Sequence, residues 1–247
     1  MKQETLRGPA GHDIPCWHQA KGTERQAVLI LHGLGSSKES STALRLAAAL
    51  AEADVACLCF DLPAHGANQA GPLRIDTCLD DIAAAEARLG ALAPQAGLGY
   101  FGSSFGAYLT LLYLETRPHR GSRAFLRCAA VDMPGLFRRD VMPEQEAAMR
   151  TQGYIMLDAG YARPLKITPG FLDDLAAYDA FALWRPGLAE LAMIHGDADT
   201  VAPLADAARF AALAGAPLYV VPGAGHSFDS PGGMEQVLER AAAFFTA

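Results

Sequence analysis

The sequence predicts an α/β fold: a mostly parallel, eight-stranded sheet with helices on both faces and an inserted lid. Three observations lead there. Short apolar runs of β type alternate with Ala- and Leu-rich helical runs almost to the C-terminus, which is the rhythm of βαβ units. The run AVLIL at 27–31 is apolar at every position, as a strand covered on both faces must be. The rhythm breaks once, between 133 and 184, over too long a stretch to be a structureless loop inside a compact domain.

In chain order, residues 4–8 and 13–19 are expected to pair as an antiparallel hairpin before the buried strand at 27–31. A helix follows at 41–52 and a strand at 55–60. The Ala-rich segment 76–92 is helical, with Asp76 as a plausible N-cap. Strand 98–101 hands over to a helix at 105–115, and strand 127–131 precedes the break. Residues 133–184 are rich in Met, Tyr, Pro and charge and read as a lid with short helices of its own. The alternation then resumes with strand 191–195, helix 203–214, strand 218–221 and helix 233–245. The division is therefore a core of 1–132 and 185–247 around a lid of 133–184.

Composition bounds the function. The chain has 247 residues, half of them apolar, and a net charge of −7 with no block of Lys and Arg. That balance argues against nucleic acid or an anionic membrane surface as the main partner. No apolar run approaches the roughly 20 residues needed to span a bilayer, and the first ten residues carry no apolar stretch of the kind a secretory signal needs. A cytoplasmic protein is expected. The five cysteines are scattered: Cys16, Cys57, Cys59, Cys78 and Cys128. They read as small buried hydrophobes in a reducing compartment, with no metal site.

The chemistry concentrates at strand ends. Gly102-Ser103-Ser104-Phe105-Gly106 lies between a strand and a helix, the setting that a G-x-S-x-G turn requires. Small residues two before and two after the apex let the tight backbone pass. An apex at Ser103 would put Phe101 and Phe105 in those places, so Ser104 is the expected nucleophile. The loop His32-Gly33-Leu34-Gly35-Ser36-Ser37 follows the buried strand and can bring the Leu34 N–H beside that of Phe105, forming an oxyanion hole. His32 is read as a support for that loop and not as a proton carrier. In HGDADTVAP, Asp197 and Asp199 are both available to orient an imidazole, and Asp199, deeper in the turn, is preferred. Asp132 is a weaker third candidate, read as shaping the pocket or a lid hinge. Of seven histidines, His226 in GAGHSF alone lies downstream of both serine and acid in such a loop. His12, His18, His65 and His119 read as surface or structural. The order Ser104, Asp199, His226 is that of a hydrolase triad.

With these residues in place, the sequence resembles the α/β-hydrolase superfamily along its whole length: HGLGSSKES, DLPAHG, GSSFG, HGDADTVAP and GAGHSF stand in family order. Within it, the chain is similar to small bacterial esterases of the cinnamoyl/feruloyl esterase and dienelactone-hydrolase-like groups, with KITPGFLDDLAAYDAF resembling the stretch before their acid strand. Two positions depart from that pattern: Ser103, where relatives often carry His, and Ala64, where glycine is common. Dienelactone hydrolases proper use a cysteine nucleophile, and the serine here points towards ordinary esters. The resemblance implies a serine esterase that hydrolyses small-molecule carboxylic esters without a cofactor, aryl or hydroxycinnamoyl esters among them. A thioesterase, peptidase or cofactor-free haloperoxidase would use the same triad, and a non-catalytic binder the same fold. A dehalogenase or epoxide hydrolase would need Asp at 104. In the lid, Tyr154, Tyr161, Tyr178, Phe137, Met142 and Met149 offer contact surface for substrate, with Asp140 and Gln145 as polar anchors. Monomer and homodimer are both open.

Overall fold

The computed structural model describes residues 1–69, 71–140, 143–158 and 163–247, with the backbone alone at 140 and 143. The chain opens with β1 (Lys2–Arg7) and β2 (Asp13–Gln19), an antiparallel pair as expected, followed by β3 (Gln26–Leu31), α1 (Ser41–Glu52), β4 (Ala56–Phe60) and α2 (Ile75–Leu92). Next come β5 (Gly97–Ser103), α3 (Phe105–Thr116) and β6 (Arg123–Arg127). Residues 133–184 hold α4 (Met133–Asp140), α5 (Pro143–Gln152), a small hairpin of β7 (Ile155–Leu157) and β8 (Leu165–Ile167), α6 (Pro169–Ala177) and α7 (Ala180–Leu183). The chain closes with β9 (Glu190–Gly196), α8 (Leu204–Ala214), β10 (Leu218–Val221) and α9 (Gly233–Thr246).

Among the described residues eight strands form one sheet in the order β1-β2-β4-β3-β5-β6-β9-β10. From β4 to β10 every neighbouring pair is parallel, and β2 alone runs against the rest, antiparallel to both β1 and β4. The central strands are apolar throughout because both faces are covered. In β3, Leu29 and Leu31 point into the core under α2, α3 and α8, while Val28 and Ile30 point into the core under α1 and α9. Helix α1 shows the matching single stripe, burying Ala43, Leu46, Ala47 and Leu50, and is started by Ser40, whose hydroxyl accepts from the Ala43 N–H at 3.3 Å. By contrast α3, between the sheet and the 133–184 segment, is buried nearly all round, which explains its uniformly apolar sequence.

Two expected elements need correction. The strand placed at 127–131 lies at Arg123–Arg127. The buried run continues to Val131, but Cys128 takes φ 43° and turns the chain off the sheet. Asp76 does not cap α2: the helix begins at Ile75 behind Arg74, and the Asp76 carboxylate accepts from Arg117 Nη2 at 2.8 Å and Tyr178 Oη at 2.7 Å. All five cysteines are buried and free. No helix among the described residues is long and apolar enough to cross a membrane.

Candidate active site

Ser104 joins β5 to α3 with φ 56° and ψ −115°, a conformation that side-chain-bearing residues adopt only under constraint. The flanking glycines are the constraint made visible. A Cβ on Gly102 would stand 2.6 Å from Ala107 Cα, and one on Gly106 would stand 2.4 Å from the Leu31 carbonyl oxygen. Phe101 and Phe105 are fully buried, so the apex is Ser104 and Ser103 turns inward, its Oγ accepting from Arg127 Nη1 at 2.6 Å.

The parallel strands bring three distant residues to one edge of the sheet. Asp199 follows β9, His226 follows β10, and His226 Nδ1 donates to Asp199 Oδ2 at 2.8 Å. With the proton on Nδ1, Nε2 is left as acceptor, 2.9 Å from Ser104 Oγ. Asp199 is enclosed: its other oxygen accepts from the N–H groups of Val201 at 2.8 Å and Ala202 at 2.9 Å. Burial by itself would raise its pKa, but the hydrogen bonds from His195, His226 and Ala202 outweigh burial and hold the carboxyl well below the usual range. Asp197 has a different task, accepting from the Gly223 N–H at 2.6 Å and so tying down the loop that carries His226.

His195 and Cys128 also surround Asp199, and a sequence reading has no local signal for either beyond the position of His195 in HGDADTVAP. Nε2 of His195, fully buried, faces Ala202 O at 2.9 Å and Asp199 Oδ2 at 3.2 Å, so it carries a proton. One donor atom each from Cys128, His195 and Asp199 lies within 4.8 Å of the others, but the set does not fit a metal. Burial pushes the Cys128 thiol up to about 12, so its sulfur stays protonated, His195 turns its Nε2–H to Asp199, and the carboxylate is already engaged.

The loop after β3 closes on the serine from the other side. A Cβ on Gly33 would come 3.3 Å from Ser104 Cβ, so the loop packs directly on Ser104. His32 supports it as expected: Nδ1 donates to Gly33 O at 2.9 Å and Nε2 accepts from the Leu62 N–H at 3.1 Å, while burial lowers the ring's pKa to about 4 and keeps it neutral. The N–H groups of Leu34 and Phe105 have no acceptor among the described residues. Phe105 N–H lies at the first turn of α3, where such groups attract negative charge.

A cavity of about 590 Å³ opens beside Ser104 and His226, between the starts of α1 and α9. It is rich in hydroxyls, and Tyr154 and Tyr178 are absent from its wall. Tyr154 instead lies under Lys166 Nζ, 4.0 Å from its ring centre, and Tyr178 is held by Asp76 and Tyr108. Phe137 and Met149 line a second cavity of about 550 Å³ between α4, α5 and α6. Phe137 packs edge-on to Phe171, and Phe171 edge-on to Phe105. Asp132 accepts from the Gly135 N–H at 3.0 Å and starts α4. Gln145 is half-buried on α5. The Asp140 side chain, Met142 and Tyr161 lie outside the described residues.

Comparison with known proteins bears on the fold. A putative hydrolase from Agrobacterium vitis S4 superposes with a TM-score of 0.84 at 19% identity, covering 98% of this chain and 97% of that one. Est1E from Butyrivibrio proteoclasticus, solved with ferulic acid bound, gives 0.82 at 18% identity, over 98% and 97%. Alpha/beta hydrolase domain-containing protein 10 from mouse gives 0.79 at 15%, over 98% of both. These likenesses establish a shared fold. No curated protein matches the sequence significantly. The model of the alpha/beta hydrolase family matches residues 28–237, and the chain belongs to that family.

Proposed function

We propose that the protein is a serine hydrolase that cleaves carboxylic esters of small molecules through an acyl-serine intermediate. The observation that carries this reading is the unbroken line of hydrogen bonds from Ser104 Oγ through His226 to Asp199, at 2.9 Å and 2.8 Å. In the first step His226 Nε2 takes the hydroxyl proton as Ser104 Oγ attacks the ester carbonyl. Asp199 holds the ring in the tautomer that leaves Nε2 free and stabilises the imidazolium that forms. The Leu34 and Phe105 N–H groups receive the oxyanion, each such donor being worth about 2.7–4 kcal/mol. His226 then returns the proton to the departing alcohol, and in the second half activates water against the acyl-serine.

Residues 133–184 serve in this reading as a cap over the serine side of the sheet. Its support is the aromatic contact from Phe105 through Phe171 to Phe137, which links the residue after the nucleophile to α6 and α4. The ferulic acid bound by Est1E makes hydroxycinnamoyl esters a natural arm of the substrate panel. Turnover of p-nitrophenyl acetate tests the reading. Release of p-nitrophenol, with a burst whose size matches the enzyme concentration if deacylation is slow, is expected from the wild type and not from Ser104→Ala. Equal turnover by the two proteins would remove Ser104 from the chemistry.

A further inference from the structure

Arg127 is the one arginine in the buried set among the described residues, 5% exposed at the end of β6. Its guanidinium always carries charge and offers five N–H donors. Nη1 donates to Ser103 Oγ at 2.6 Å, Nη2 donates to the His226 carbonyl at 2.7 Å, and the Phe228 ring centre lies 5.2 Å away. Every one of these partners is neutral, and Nε, also buried, has no partner among the described residues. Asp199 and Asp229 act on the cation through space only. Arginines at the surface fare differently: Arg45 meets Glu235 at 2.7 Å, Arg74 meets Asp174 at 2.6 Å and Arg117 meets Asp76 at 2.8 Å. A buried cation without a counterion is costly, and this one lines the cavity that holds Ser104 and His226.

We propose that the cavity beside Ser104 is a carboxylate subsite, with the Arg127 guanidinium as its cation, so that the preferred substrate is an ester carrying a free carboxylate on its acyl or its leaving part. This rests on the serine-hydrolase reading and narrows its substrate class. The rest of the wall suits such a group. Ser36, Ser40, Ser41 and Ser103 supply hydroxyls, and α1 begins at the cavity, where a helix start favours negative charge. Arg45 and Glu235 neutralise each other there. Asp229, exposed on the same wall, is the carboxylate that would oppose an incoming anion.

Two ester pairs, each a free carboxylate against its methyl ester and read by release of the phenol, test the proposal on the full chain. Mono-p-nitrophenyl glutarate against its methyl ester places the carboxylate on the acyl side. The acetate of 4-hydroxybenzoic acid against that of its methyl ester places it on the leaving side. A charge-assisted contact of this kind is worth about tenfold or more. At least one anionic ester is therefore expected to exceed its neutral partner in kcat/KM by about that factor. The ratio should fall towards one in Arg127→Met, be partly kept in Arg127→Lys, and rise in Asp229→Asn. Preference for the neutral member in both pairs, or ratios unchanged by Arg127→Met and Asp229→Asn, overturns the subsite. If Arg127→Met does not fold, the lysine and Asp229 variants decide. Calorimetry of glutarate with Ser104→Ala separates the two layers. Glutarate binding without ester turnover by the wild type keeps the subsite and removes the hydrolase reading. Neutral-ester turnover without glutarate binding keeps the hydrolase and removes the subsite.

Discussion

Ser104 is held at a positive φ of 56°, a strain of order 1–3 kcal/mol that the packing around it must offset. What that strain achieves is position: the hydroxyl stands 2.9 Å from the His226 Nε2. Asp199 orients the imidazole, and Asp199→Asn would present an amide able to donate to Nδ1 and so favour the wrong tautomer. A fall in kcat of about 10⁴-fold, with KM little changed, is expected from steady-state kinetics. Ser104, Asp199 and His226 were legible because glycines and strand ends mark their loops. Arg127, His195 and Cys128 were not, since each looks like part of a buried strand run until the fold brings it to Asp199 or Ser103. For Arg127 a signal did exist: a charged residue in the apolar stretch AFLRCAAV demands a partner or a task.

The elbow, the helix behind it and the segment docked on that helix behave as elements with their own requirements. Gly106→Ala would drive a methyl group against the Leu31 and His32 carbonyls, at 2.4 Å and 2.5 Å. A loss of about 1–3 kcal/mol in urea unfolding is expected, together with reduced kcat, because the Phe105 N–H moves with the turn. Glu115, on α3, has both carboxyl oxygens buried without partners among the described residues. Burial, with Asp179 nearby and Arg185 partly offsetting it, raises its pKa from 4.5 to about 9. A carboxyl raised in the folded state contributes stability below its unfolded pKa and loses it as pH climbs to the folded one. Wild-type Tm should therefore drop relative to Glu115→Gln between pH 5 and pH 8.5, and parallel Tm curves for the two proteins would contradict this. The break in rhythm at 133 marks the stretch whose described strands, β7 and β8, stand outside the main sheet. The three-residue strands of its hairpin were not foreseeable, being too short to display a period of two. The misplaced strand at 127–131 has a similar cause, for burial continues past the point where Cys128 leaves the sheet.

At the scale of the whole molecule, two cores sandwich one sheet, and β3 divides its side chains between them. That two-sided burial made the fold class readable, because strands covered on both faces appear as unbroken apolar runs. Parallel strands also send their C-terminal ends to one edge, which is why loops after β3, β5, β9 and β10 meet there and why Ser104 meets His226, 122 positions away. Removing apolar volume from either face should therefore unfold the site along with the sheet. Leu46→Ala, on the α1 side and fully buried, is expected to cost about 2–5 kcal/mol in chemical unfolding, with activity lost in the same transition as far-UV signal. The central claim, that this edge makes Ser104 an activated nucleophile, is tested most directly by intact-mass and peptide-mapping analysis after exposure to a fluorophosphonate. One adduct per chain, mapped to Ser104 and absent from a folded Ser104→Ala protein, is the expected result. An adduct that persists in Ser104→Ala, or a folded wild type that forms none, would contradict it.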